Sequence, residues 1–314
     1  MPYPLLVIVG PTATGKTRLG VEVAHRLGSE IISADSRQVY RGLDIGTGKD
    51  LTDYSAVDPP IPYHLIDIAD PREVYTLFHY QRDCHEVLHS LAHRQPFADD
   101  ATPTLMVGGS GLYIEAVLRG FRLADVDENV ELRHELKDHD REELEERLLE
   151  ASPQIHARTD CSSRRRMIRG LEIAAAEHRG PISYTKPLDF ELDLRILSIT
   201  TERQQLRESI ADRLNRRLRD GMVGEVRDLL DQGITTERLK SLGLEYREVG
   251  AYLAGRKTYR TMVSDLETAI GQFAKRQETW FRGMPRRGLP VTTIKSGDVE
   301  AALQTVEQWR QPMV

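Results

Sequence analysis

Apolar residues fall into short runs near the start of the chain and into helical stripes further on. LLVIV at 5–9 is apolar throughout and closed by Gly10, the pattern of a short strand buried on both faces. TRLGVEVAHRLG then sets Leu19, Val23 and Leu27 on one helical face, with Gly28 as a stop. EIISADS, YHLIDIAD and PTLMVGG predict further strands, each delivering polar or glycine residues at its C-terminal end. LFHYQRDCHEVLHSLAHR, between the last two, has helical spacing. Strand, loop and helix in alternation imply a parallel sheet with ligands at the carboxyl ends of the strands. After Gly120 the pattern changes. Residues 122–184 read as charged helix, with no strand until LDLRILSIT at 192–200, and helix resumes to about 283. LPVTTIK and VEAALQTVEQWR predict a last strand and helix.

Composition narrows the class. With 39% hydrophobic and 29% charged residues, the 314-residue chain is expected to be a soluble globular protein. No apolar run approaches the roughly 20 residues that span a bilayer. The first residues lack the basic region and cleavage site of a secretory leader, so a cytoplasmic protein without membrane association is expected. Cys84 and Cys161, far apart and in no metal-ligand spacing, suit a reducing compartment and argue against a disulfide framework. The formal net charge is -6, but its distribution is uneven. Residues 125–150 are strongly acidic, whereas 162–170, 202–220 and 275–287 are rich in arginine and lysine. Such clusters can hold a polyanion on a protein that is acidic overall, or can be solvated helix faces.

Three segments carry candidate chemistry. GPTATGKT, residues Gly10, Pro11, Thr12, Ala13, Thr14, Gly15, Lys16 and Thr17, fits the phosphate-loop pattern and lies between a predicted strand and a predicted helix. Its backbone N–H groups and the helix N-terminus cradle phosphate oxygens, Lys16 adds a point charge, and the Thr17 hydroxyl commonly ligates Mg²⁺. The pattern fixes a polyphosphate, usually that of ATP or GTP, without naming its owner. The fold class expected is therefore α/β, a P-loop NTPase-like parallel sheet flanked by helices. Its catalytic core covers 1–121 and 185–314, and a helical insertion domain covers 122–184. SADSRQVY at 33–40 puts Asp35 at a strand end, where it serves as a general base, as a water-mediated Mg²⁺ ligand, or as a helix cap. MVGGSGLYIEAVL at 106–118 offers a close backbone approach and the Ser110 hydroxyl. HEVLH at 85–89 matches a zinc-protease pattern, extended by His93, but lacks a downstream ligand. It reads as surface histidines on an amphipathic helix.

Taken in order, GPTATGKT, SADSRQVYRGLDIGTGK, PYHLIDIADP, MVGGSGLYIEAVLRG, RRRMIRGLEIA, GMVGEVRDLL and QFAKRQETWFRG resemble the blocks of the tRNA dimethylallyltransferases up to about residue 283. The resemblance implies that N6 of an adenosine beside the tRNA anticodon attacks C1 of dimethylallyl diphosphate, with Mg²⁺ present and diphosphate leaving. It implies that Asp35 accepts the N6 proton and that Lys16, Thr17 and Arg213 stabilise the leaving charge. Its tRNA-contacting positions map to Asp35, Ser36, Arg37, Gln38, Ser110, Arg165, Arg166 and Arg169. A monomer engaging the anticodon stem-loop is the expectation, with Trp280 packed in the core. The chain departs from the family in reading GTGKD for GTAKP, Ser110 for Thr, Glu245–Tyr246 for a Gly-Tyr pair, and TDCSS before the arginine run; no zinc-finger tail is expected. An adenylate isopentenyltransferase acting on AMP, ADP or ATP is the alternative. A P-loop small-molecule kinase, with Asp67 near Mg²⁺, is a further one.

Overall fold

β1 (Tyr3–Val9) is the apolar run that opens the chain, and it alternates between two cores. The computed structural model describes residues 2–94 and 102–310. After β1 come α1 (Lys16–Leu27), β2 (Ile31–Ser33), β3 (Tyr63–His64), α2 (Leu77–Arg94), β4 (Thr104–Gly108) and α3 (Gly111–Leu118). Then follow α4 (Val130–Glu135), α5 (Arg141–Ala151), α6 (Pro153–His156) and α7 (Arg164–Arg179). The remainder is β5 (Leu192–Thr200), α8 (Arg203–Arg219), α9 (Met222–Asp231), α10 (Thr236–Leu242), α11 (Leu244–Leu253), α12 (Tyr259–Arg282), β6 (Val291–Lys295) and α13 (Val299–Arg310).

The strands pair in parallel in the order β3-β2-β4-β1-β5-β6. Because side chains alternate along a strand, Leu5, Val7 and Val9 pack with Tyr80 and Leu88 of α2 and Ile114 of α3. Leu6 and Ile8 pack on the other side with Leu19 and Val23 of α1 and Val306 of α13. Each such burial stabilises by about 1.5–3 kcal/mol relative to exposure. A third core joins α8 to α12 around Leu214, Val226, Tyr246, Val249, Leu266 and Ile270. All strand carboxyl ends therefore lie on one edge, so the loops after β1, β2 and β4 are neighbours.

Residues 1–120 and 188–314 make one compact unit and 121–187 another. In the second unit, Leu144 and Leu148 of α5 meet Met167 and Leu171 of α7 and Ile155 of α6. A reciprocal Asp140–Glu143 capping box starts α5.

Two elements depart from the sequence pattern. YHLIDIAD yields only the two residues of β3, because Leu65 and Asp67 adopt left-handed backbone conformations that break a ladder. The second departure concerns the histidines of α2. His85 is buried, His89 is half-buried against Phe190, and only His93 is exposed, so the surface-histidine reading is corrected for His85.

Candidate active site

The loop after β1 folds on itself. Ala13 and Gly15 take positive φ values of 62° and 72°, turning the chain into α1. The Thr14 hydroxyl donates to the Pro11 carbonyl at 2.8 Å, and Lys16 Nζ donates to the same carbonyl at 2.6 Å. Thr17 lies half-buried in the first turn of α1. Burial and, secondarily, the Arg213 charge push the Lys16 ammonium down to about 7, with the Asp35 carboxylate opposing.

Arg213 reaches this loop from α8. Its guanidinium donates to Thr12 Oγ1 at 3.3 Å, to the Gly48 carbonyl at 3.2 Å and to Asp50 Oδ2 at 3.0 Å. Arg217, one turn on, donates to the Gly46 carbonyl at 3.2 Å and to Glu245 at 3.4 Å. Burial and Arg213 lower Arg217 to about 10, and burial raises the Glu245 carboxyl against the pull of Arg217. Arg213 thus opposes the charge of both Lys16 and Arg217, while Asp50 and Glu245 pair with the two arginines. A polyanion is the ligand that relieves that opposition.

Asp35 stands just beyond β2. Its Oδ1 accepts the Arg37 backbone N–H at 2.9 Å, and Ser110 Oγ accepts the Ser36 N–H at 2.9 Å. Gly108 makes this possible, since a Cβ there would collide with the Ala34 backbone. Gln38 is buried and donates to the Gly48 carbonyl at 3.1 Å, the acceptor that Arg213 also uses. Arg37 is exposed and donates to the Ser241 carbonyl at 2.6 Å. The residues expected to act at the phosphate loop, together with Asp35, Ser36, Arg37, Gln38 and Ser110, therefore lie in the same unit around neighbouring strand ends.

Arg165, Arg166 and Arg169 lie on α7 of the second unit. Arg165 is exposed, and Arg166 pairs with Asp160. Arg169 donates to Glu172 at 3.0 Å and to the Val126 carbonyl at 2.6 Å, so its guanidinium is held by the unit's own packing.

Several residues position the loops in ways the sequence did not indicate, Glu225 without having been singled out at all. Gln277 of α12 accepts the Thr12 N–H at 2.8 Å and donates to the Gly109 carbonyl at 2.8 Å, clamping the phosphate loop to the end of β4. Its signal was a polar residue in the buried stripe Met262, Leu266, Ile270, Ala274, Phe281. Glu225 of α9 accepts the N–H groups of Asp44, Ile45 and Gly46 at 2.6–2.9 Å and the Tyr246 hydroxyl at 2.7 Å. Nothing local marks it. Lys49 is buried and bonds the Tyr40 carbonyl, Asp44 and Asp67. Asp67 is thereby committed to holding the 44–49 loop. Trp280 is half-buried at the edge of the core, over Gly111 and under Arg287.

A cavity of about 1210 Å³ opens beside Pro11, with Ile199, Leu206 and Ile210 among its walls and Arg203, Lys275 and Arg282 among its polar lining. Its mixed walls select no ligand, so the charge cluster is the more informative feature. Parallel strands, a phosphate loop and a carboxylate at the adjoining strand end define a phosphate-loop enzyme.

Residues 38–284 match the family described as IPP transferase, and residues 3–54 match the one described as isopentenyl transferase. The chain belongs to the IPP transferase family. It is 48% identical over 291 residues to tRNA dimethylallyltransferase 1 of Porphyromonas gingivalis, covering 92% of this chain and 93% of the relative. It is 45% identical over 297 residues to tRNA dimethylallyltransferase 1 of Syntrophus aciditrophicus, covering 95% of each. The full-length tRNA isopentenylpyrophosphate transferase of Bacillus halodurans superposes with a TM-score of 0.66 at 30% identity, over 98% of this chain and 95% of that one. A eukaryotic dimethylallyltransferase acting on tRNA shares the fold, with a TM-score of 0.74 at 20% identity over 99% of this chain and 81% of that one.

Proposed function

We infer that the chain is a tRNA dimethylallyltransferase, moving a dimethylallyl group from dimethylallyl diphosphate to N6 of an adenosine beside the anticodon. The observation that carries this reading is Lys16 and Arg213 together at the phosphate loop, with Asp35 at the next strand end, in a member of this family. The N6 lone pair attacks C1 and the C1–O bond breaks, its electron pair leaving with diphosphate. Asp35 accepts the N6 proton. An aromatic amine is a weak nucleophile, so a placed base contributes about 10²–10⁴-fold.

Negative charge gathers on the leaving oxygens as the bond breaks. Loop N–H groups, Lys16 and Arg213 meet that charge more strongly in the transition state than in the bound donor, which is what accelerates the step. The Thr17 hydroxyl oxygen is the hard donor that would hold Mg²⁺, which when bound would neutralise part of the diphosphate charge. Asp35, Ser36, Arg37, Gln38 and Ser110 meet the adenosine and its neighbours once the base leaves its stack. Arg165 and Arg166 meet backbone phosphates, and Arg169 shapes their helix. We place the reaction in the cytoplasm and expect a monomer to suffice.

The test is incubation with Mg²⁺ and labelled dimethylallyl diphosphate, with either unmodified tRNA or AMP, followed by digestion and detection of N6-isopentenyladenosine. Product with tRNA alone is expected. Product with AMP alone would reassign the enzyme to free nucleotides, and ATP turnover without prenyl transfer would sink both readings. Asp35→Ala should abolish most transfer while leaving tRNA binding largely intact.

A further inference from the structure

We propose that Glu145, His156 and Cys161 form a binding site for a thiophilic divalent cation of the Zn²⁺ class, leaving the fourth coordination position to water. Glu145 projects from α5, His156 ends α6, and Cys161 sits in the turn that enters α7. One ligand atom from each lies within 4.8 Å of the others, and all three residues are half-buried. No other group of three histidines, cysteines or carboxylates among the described residues meets that spacing, the His85, His89 and His93 stripe included.

His156 Nε2 supplies an independent pointer. It is buried without a hydrogen-bond partner, and Glu145 Oε1 stands 3.6 Å away, within ion-pair but beyond hydrogen-bond reach. A buried nitrogen without a hydrogen-bond partner is destabilising, and a metal bond would satisfy it. Bonds of about 2.0–2.3 Å in a tetrahedron put ligand atoms roughly 3.3–3.8 Å apart, so the three donors need close by only about 1 Å.

The surrounding turn is held without the ion. The Thr159 hydroxyl donates to the Ile155 carbonyl at 2.8 Å, and Asp160 Oδ1 accepts the Ser162 N–H and hydroxyl at 3.1 and 2.6 Å. A thiolate, an imidazole and one carboxylate favour Zn²⁺ over Mg²⁺ or Ca²⁺, which prefer all-oxygen sets. On binding, the Cys161 thiol proton is released to solvent and the sulfur electron pair bonds the metal, with no change of oxidation state. The ion would cross-link α5 to the turn that begins the Arg164–Arg166 run.

The test is titration of the full chain with Co²⁺ under reducing conditions, then displacement by Zn²⁺. One Co²⁺ per chain with a thiolate charge-transfer band and tetrahedral visible bands is expected. Cys161→Ser should lose the charge-transfer band and weaken Zn²⁺ binding at least tenfold, with circular dichroism unchanged. Glu145→Gln should weaken binding while keeping the band. A His89→Ala/His93→Ala variant should bind as the parent does. Absence of the thiolate band, an unchanged Zn²⁺ affinity in Cys161→Ser, or loss of binding in the His89/His93 variant instead would overturn the proposal.

Discussion

Lys16 reports how the phosphate loop takes up charge. With its ammonium lowered to about 7, first by burial and then by Arg213, Lys16 is about half charged at pH 7 and about one-tenth charged at pH 8. A diphosphate favours the ammonium, so binding must draw in a proton wherever Lys16 starts neutral. If the charged loop is the form that binds, the Kd for dimethylallyl diphosphate rises about fivefold from pH 7 to 8 and about ninefold from pH 8 to 9. That is roughly 2.3 kcal/mol over the two units. Phosphate esters lose their last proton near pH 6, so the ligand's own ionisation does not offset the trend. Calorimetry at fixed Mg²⁺, in buffers of different ionisation enthalpy, counts the proton directly. Uptake should approach one per site by pH 8.5. Lys16→Met should bind weakly with a flat profile, and Arg213→Gln should move the rise to higher pH by removing a charge that lowers Lys16. A pH-independent Kd between 7 and 9, without proton uptake in the parent protein, would refute this account.

The same shift bears on folding. Between about 7 and the ordinary lysine value of 10.5, the unfolded chain holds a Lys16 proton that the folded chain lacks, so this group's contribution to stability rises with pH across that window. Lys16→Met should therefore raise the melting temperature most at or below pH 7, as read by scanning calorimetry. Gln277→Leu removes two hydrogen bonds and leaves the Thr12 N–H and the Gly109 carbonyl without partners, so diphosphate affinity should fall by about 1–3 kcal/mol with tRNA affinity retained. Glu225→Ala strips the acceptor from three backbone N–H groups, and should lower stability by about 2–4 kcal/mol and open residues 44–48 to proteolysis. Arg165→Ala should weaken tRNA binding and lower its salt slope by about 1 without moving the melting temperature. Arg169→Ala should instead destabilise the second unit, because it strips the Val126 carbonyl of this donor and leaves the buried Glu172 carboxylate with Arg133 as its one cation.

Most of the sheet was legible because its strands carry a signal that needs no context. β1 and β5 are apolar or alternating runs bounded by polar or glycine residues, and both appear within a residue or two of where the pattern put them. The phosphate loop was legible for a similar reason: its glycines and Lys16 are fixed by local backbone geometry. β3 failed because Leu65 and Asp67 turn left-handed, a choice made where Lys49 draws Asp67 across the loop. The apolar run alone could not reveal that.

Other parts of the site depend on residues far apart in sequence. Arg213 was assigned by resemblance, but its place against Thr12 and Asp50 depends on how α8 lies beside the loop, 201 and 163 residues away in sequence. Gln277 and Glu225 bond backbone groups more than 160 residues distant, and no local pattern encodes a partner at that range. His85 reads as polar in the sequence, yet the packing of α2 on the sheet buries it. The sequence by itself determined which segments form strands and helices and which loop carries the phosphate-binding pattern, because those follow from short-range periodicity and backbone freedom. Tertiary structure alone decided which strands pair, how that loop is clamped and why the Lys16 ammonium is lowered, because burial and Coulomb coupling are properties of neighbours in space.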